Sequence, residues 1–129
     1  MSDAPSPAPA VFPVLQYGAL AAAVPWLVRT FGLDEVLVVP GDAGSVRFAL
    51  LGWRDGIVMC TPAQDPARVG RGIVHLAVDD PDALHERAAA AGAEIVDPPA
   101  DTDHDSRGYT ARDLEGHEWR FDTYRPAYA

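Results

Sequence analysis

At 129 residues and 13.8 kDa, 48% hydrophobic and 22% charged, the chain has the size and composition of one soluble globular domain that buries its apolar surface without staples. A net charge of −9 argues against nucleic-acid binding, which is dominated by neutralising phosphates, and no apolar run reaches the ~18 residues of a membrane span. Met1 to Ala10 lacks the basic-then-apolar order of a secretory signal, and a lone cysteine, Cys60, excludes an internal disulfide and suits a reducing cytoplasm.

Residues 1–10 alternate Pro with Ala, Ser and Asp; they offer no periodic apolar face and read as a disordered N-terminal arm. Val11–Tyr17 alternates as a strand, with Phe12, Val14 and Gln16 on one side and Leu15 and Tyr17 on the other, and Pro13 marks it as an edge. Leu20, Val24, Leu27, Val28 and Phe31 keep helical spacing up to Gly32, with Pro25 as a local conflict that either delays or bends the helix. Glu35–Val39 is a short strand. Ser45–Trp53 and Ile57–Cys60 flank an Asp55-Gly56 turn as a hairpin. Thr61–Arg71, with two prolines and a glycine, is a linker.

The second half repeats the order. Gly72–Val78 is a strand, and Asp80-Pro81 gives a helix cap and first-turn proline for a helix that runs to Ala91 and stops at Gly92. Ala93–Val96 is a strand and residues 97–106 a polar loop. Gly108–Arg112 and His117–Phe121 then flank Asp113-Leu114-Glu115-Gly116 as a second hairpin. Phe31-Gly32 and Ala91-Gly92 lie 60 positions apart, as do Gly56 and Gly116, while Tyr17 and Val78 lie 61 apart. The expected fold is therefore α+β: one domain, 11–126, built from two βαβββ modules (11–61 and 72–123) that curl mixed sheets around a cavity.

Val78-Asp79-Asp80 leading into a helix that ends Ala90-Ala91-Gly92-Ala93, and Arg112-Asp113-Leu114-Glu115-Gly116-His117-Glu118-Trp119 with Phe121, resemble the vicinal-oxygen-chelate superfamily, the glyoxalase/bleomycin-resistance/dioxygenase fold. The resemblance spans about Val11 to Pro126 and implies paired modules in a homodimer. Metal-dependent members hold a divalent cation with one side chain near the start of the first strand and one on the last strand of each module. Counted from the strand-end residues and the turn glycines, those places fall to Phe12, Cys60, Ile73 and Arg120. Phe and Ile offer no donor and Arg is a permanent cation, so this set cannot chelate, and no metal or other cofactor is expected.

With symmetric hairpins, Trp53 joins Val58 and Cys60 comes opposite Leu51; in the second hairpin Ala111 meets Arg120 and Tyr109 meets Asp122. Added to Phe12, Val14, Gln16, Ile73 and His75, these line a mostly apolar cavity with polar tips at Gln16, His75 and Arg120, joined by Arg47 and Arg107. Apolar walls with sparse polar groups suit a small-molecule pocket. Cys60 reads as a small buried thiol rather than a nucleophile, and His85 and His117 read as surface or loop residues. The leading expectation is a cytoplasmic, metal-independent protein that sequesters a hydrophobic or aromatic molecule, most concretely an antibiotic in drug binding and self-resistance. The alternatives are an enzyme of the same fold, either a metal-free lyase or isomerase with His75 or Glu118 as base or a metal enzyme such as a dioxygenase with shifted ligands, or a regulatory dimer.

Overall fold

The structure, a computed structural model, describes residues 8–127. The arm expected over 1–10 thus falls largely outside the described residues. The element order is β1 (Val14–Tyr17), α1 (Leu20–Phe31), β2 (Asp34–Pro40), β3 (Val46–Trp53), β4 (Gly56–Pro62), then β5 (Ile73–Ala77), α2 (Pro81–Ala90), β6 (Glu94–Asp101), β7 (Arg107–Arg112) and β8 (Glu118–Asp122). Two four-stranded mixed sheets result, ordered β1-β4-β3-β2 and β5-β8-β7-β6, so each half is a βαβββ module. In each, the first strand lies parallel to the last at one edge, and the other neighbours are antiparallel. The sheets stay open rather than closing into a barrel.

One expectation is corrected in the second module. The stretch 97–106, read as a loop, continues β6 through Pro98 and Pro99 to Asp101. Prolines donate no ladder bond, and β6 tolerates them because it is the sheet's outer strand, with its register slipping between Asp97 and Ala100. Pro25 likewise does not delay α1, which starts at Leu20 and keeps Pro25 on its exposed side.

The helix-facing sides of both sheets meet in one core. Leu20, Ala23, Val24, Leu27 and Phe31 of α1 are buried, as are Leu15, Tyr17, Leu51 and Cys60 of the first sheet and Leu76, Trp119 and Phe121 of the second. Phe31 sits at the junction, its ring 5.4 Å from Trp119 and 5.0 Å from Phe121. Burial of such rings, each worth roughly 1.5–3 kcal/mol, welds the first module's helix to the second module's last strand.

Polar contacts cross the same boundary. Ala19, the α1 N-cap, has no side-chain acceptor to offer; the Glu115 carboxylate accepts from Gly18 N (2.6 Å) and Ala19 N (2.9 Å) instead. At the other end of α1, Arg87 of α2 donates to Arg29 O (3.0 Å) and Val28 O (3.3 Å). An anion at the N-terminus and a cation at the C-terminus both suit the helix dipole, and both come from the other module. Asp113 is buried and accepts four bonds, from Tyr17 Oη (2.5 Å), Trp119 Nε1 (3.0 Å), Glu115 N (2.9 Å) and His117 N (3.1 Å). Burial, then Asp113, pushes the Tyr17 phenol far above the usual tyrosine value, so it remains a neutral donor.

His117, expected near the surface, is 1% exposed. Its Nδ1 accepts from Gly72 N (2.8 Å), which leaves Nε2–H to donate to Gln16 O (2.7 Å). The linker is pressed close here: a Cβ on Gly70, whose φ is +76°, would lie 2.6 Å from Glu115 O.

Candidate functional site

With the core on one side of each sheet, the ladders define what the other side carries. Val14 aligns with Met59 and Gln16 with Thr61; in the second module Ile73 aligns with Glu118 and His75 with Arg120. These residues alternate with buried Leu15, Cys60, Val74 and Trp119, so they stand on the two open faces. The modules therefore superpose at an offset of 59 along these strands, Gln16 with His75 and Thr61 with Arg120.

The offset of 60 expected from the turn glycines fails because the two hairpins differ. Trp53 pairs with Gly56, so Gly56 opens β4 and the turn is Arg54-Asp55, with Arg54 at φ 52°. Gly116 instead lies in a longer loop between Arg112 and Glu118, at φ 100°, held by Asp113. Leu51 accordingly meets Val58 and Ala49 meets Cys60; Tyr109 meets Phe121, Ala111 meets Trp119 and Thr110 meets Arg120.

Three expected lining residues consequently belong to the core. Val58 is 4% exposed, and Cys60 and Tyr109 are fully buried. The Tyr109 ring stacks on Phe121 at 4.9 Å. Burial, reinforced by Asp113, pushes the Cys60 thiol up to about 12, which makes it inert as a nucleophile. Arg107 faces α2 and is occupied, donating to Asp82 (2.8 and 2.9 Å) and Asp101 (3.2 Å).

The other expected residues reach open surfaces. Phe12, Val14 and Ile73 are exposed, as is His75, while Gln16 and Arg120 are half-buried. Arg120 is oriented by Asp122 Oδ2 (2.7 Å) and Thr110 Oγ1 (3.3 Å). Burial raises the Asp122 pKa, but the Tyr124 amide, Arg120 and Ser106 together outweigh it and hold the carboxyl below its ordinary value. Glu118 is paired with Arg112 at 3.3 Å.

The open-face residues do not share one hollow. Gln16 and Arg47 line a cavity of about 750 Å³ over the first sheet, with Phe48 and Met59 as apolar lining and Thr61, Gln64 and Arg68 along it. Trp53 and His75 meet in a separate hollow of about 410 Å³ at the seam between the modules, beside Tyr124 and Arg125. There the Trp53 indole donates to Ala77 O (2.8 Å), and Arg125–Asp55 (3.0 Å) and Arg54–Asp79 (2.7 Å) pairs flank it.

Sequence reasoning missed Phe48, Met59, Thr61 and Arg68. The run Ile57-Val58-Met59-Cys60 is apolar on both faces, so alternation alone could not tell which side was open. The pairing of β4 with Gln16 supplies that information.

As a metal centre the arrangement fails on chemistry. Cys60 lies across the sheet from the open-face positions, and the ladder-matched set of Gln16, Thr61, His75 and Arg120 contains one imidazole beside an amide, a hydroxyl and a guanidinium. Among the described residues, no three His, Cys, Asp or Glu side chains group so as to hold an ion. No described helix is long and apolar enough to cross a membrane.

Comparison with known proteins accords with this architecture. Residues 11–121 match the model of the Glyoxalase/Bleomycin resistance protein/Dioxygenase superfamily. No curated protein sequence matches the chain. Among solved structures, TioX from Micromonospora sp. ML1 is 38% identical with a TM-score of 0.75, the match covering 88% of this chain and 97% of that one. The bleomycin-binding protein from bleomycin-producing Streptomyces verticillus, solved with copper(II)-bleomycin, is 25% identical over 86% of this chain and 92% of that one, with a TM-score of 0.67. A glyoxalase/bleomycin resistance protein from Catenulispora acidiphila, 21% identical over 87% and 95% with a TM-score of 0.66, shares the fold.

Proposed function

The chain belongs to the Glyoxalase/Bleomycin resistance protein/Dioxygenase superfamily, and within it we propose that it is a metal-independent cytoplasmic protein that captures a hydrophobic or aromatic small molecule, most concretely an antibiotic, and so protects the cell from it. The observation that carries this reading is the make-up of the open faces. Where a cation would need carboxylates and imidazoles, the ladder-matched positions hold Gln16, Thr61, His75 and Arg120, next to apolar Val14, Phe48 and Met59. Apolar area supplies affinity and the few polar tips fix orientation. Similarity to a bleomycin-binding protein supports the choice of an antibiotic.

The mechanism is stoichiometric: the molecule is stacked, hydrogen-bonded at its polar edge and withheld from its target. The functional unit we propose is a homodimer, in which the first-sheet face of one copy is set against the second-sheet face of the other. The core occupies the inner sides of both sheets, and among the described residues Phe12, Val14, Ile73 and His75 stay exposed on the open faces. Exposed Phe12, Val14 and Ile73 are the apolar area such an assembly would cover.

Native mass spectrometry of the protein as purified from its producing cells, followed by tryptophan-fluorescence titration with planar natural products, tests the proposal. A dimer should bind about one molecule per cleft, insensitive to chelator, and return the compound unchanged. Conversion of the compound, or binding abolished by chelator and restored by a divalent metal, would replace capture with catalysis.

A further inference from the structure

The arginines of this acidic chain are mostly spoken for. Among the described residues, Arg54, Arg107, Arg112, Arg120 and Arg125 are ion-paired, and Arg71 and Arg87 donate to backbone carbonyls. With 19 acidic against 10 basic residues, an arginine with neither kind of contact is the exception. Arg47 and Arg68 are two such exceptions, and they line the same cavity. They approach from different elements, Arg47 from β3 and Arg68 from the 3-10 turn of the linker, Pro66–Arg68. The carboxylate in that lining, Asp65, has its Oδ1 turned to Ala67 N at 2.9 Å, where it caps the same turn.

We infer that this cavity takes an organic anion: a flat apolar body over Phe48 and Met59, with a carboxylate, sulfonate or phosphate group held by Arg47 and Arg68. A volume of about 750 Å³ suits a drug-sized molecule. Thioether and phenyl surfaces accept a ring face, and a guanidinium presents two parallel N–H groups to an acidic group. Both arginines are exposed before binding, and the pocket's cationic excess stands out on a chain of net charge −9. This assignment rests on the reading of the open face as the ligand site, and it names the chemical class that site prefers.

Two dyes with one skeleton separate the two levels. 1-Anilinonaphthalene-8-sulfonate carries a sulfonate, and N-phenyl-1-naphthylamine is the same ring system without it. A charge-assisted contact to an arginine corresponds to a preference of roughly tenfold or more, so the sulfonated dye should bind at least that much more tightly. In the Arg47→Gln/Arg68→Gln double variant the preference should vanish while the neutral dye keeps its affinity. Each single variant should lose part of it, with unchanged melting temperature as the check on folding. Equal affinities in the wild type, or a preference that survives the double substitution, overturn the anion assignment and leave capture of apolar molecules standing. If neither dye binds, both the assignment and the capture reading fail.

Discussion

Replacing Asp113 by asparagine probes the bond set that ties the modules together. The carboxylate serves four donors: Oδ1 takes the amides of Glu115 and His117, and Oδ2 takes Tyr17 Oη and Trp119 Nε1. The carboxamide of the Asp113→Asn variant would keep one oxygen for the two amides but turn an NH2 toward the other pair. Tyr17 can rotate its hydroxyl and accept, whereas the Trp119 indole only donates and is left unpaired in a site with no access to water. An unpaired buried donor costs about 1–3 kcal/mol, and weakening the charge-assisted bonds adds to that. Relief of the carboxylate's own desolvation works in the opposite direction. The net expectation is a loss of about 2–4 kcal/mol, which for a domain of this size lowers Tm by roughly 7–15 °C. Urea denaturation with unchanged m-value and calorimetry would both report it. A cycle with Tyr17→Phe should show coupling above about 0.5 kcal/mol, since the two side chains share one bond. A loss under about 0.5 kcal/mol for Asp113→Asn, or additive single substitutions, would show that the network is not what joins the halves.

Glu115→Ala should cost about 1–2 kcal/mol by leaving Gly18 N and Ala19 N without an acceptor, read as a lowered urea midpoint, with Glu115→Gln intermediate. Cys60 should resist a disulfide reagent at pH 8 in the native state and react at once in denaturant, because burial holds its thiol up at about 12. Asp122 is held below its ordinary value of 3.8, so unfolding takes up a proton there at acid pH. Its stabilisation is complete above about pH 4 and disappears as the pH falls through the lower folded value. Asp122→Asn should therefore flatten the acid limb of a stability–pH curve measured below about pH 4, and an unchanged limb would remove Asp122 from the account.

Both helices and the doubled βαβββ order were legible in the sequence because each rests on local spacing. Gly32 marks a helix end by its left-handed backbone, and Asp80-Pro81 marks a helix start by a side-chain cap and a fixed φ. Strand parity in β1 and β5 was legible too, and it put Gln16 and His75 on the open faces. The register of the hairpins was not. It depends on whether a turn glycine lies within the strand, as Gly56 does, or in the loop, as Gly116 does, and the loop of the second hairpin is held by Asp113, one of whose donors, Tyr17, lies 96 residues away. Counting from Gly56 as though it stood where Gly116 does put Cys60, one residue short of Thr61, in the imagined cavity, and pairing Tyr109 with Asp122 in place of Phe121 did the same for Tyr109. Buried His117 and half-buried Glu115 escaped notice for a related reason: each is polar, lies at a turn and looks solvent-facing until its partners, from 45 to 101 positions away, are in place.

The helix of the first module is bracketed by groups that the ribosome delivers much later. Arg87 lies 58 residues beyond the carbonyl it holds, and Glu115 lies 97 beyond the amide it receives. A nascent chain carrying only residues 1–70 would have that helix frayed at both ends and its aromatic side, Phe31 foremost, facing water. The first half therefore should not mature ahead of the second, and the polypeptide acquires its native shape in one cooperative event after nearly all of it has been synthesised.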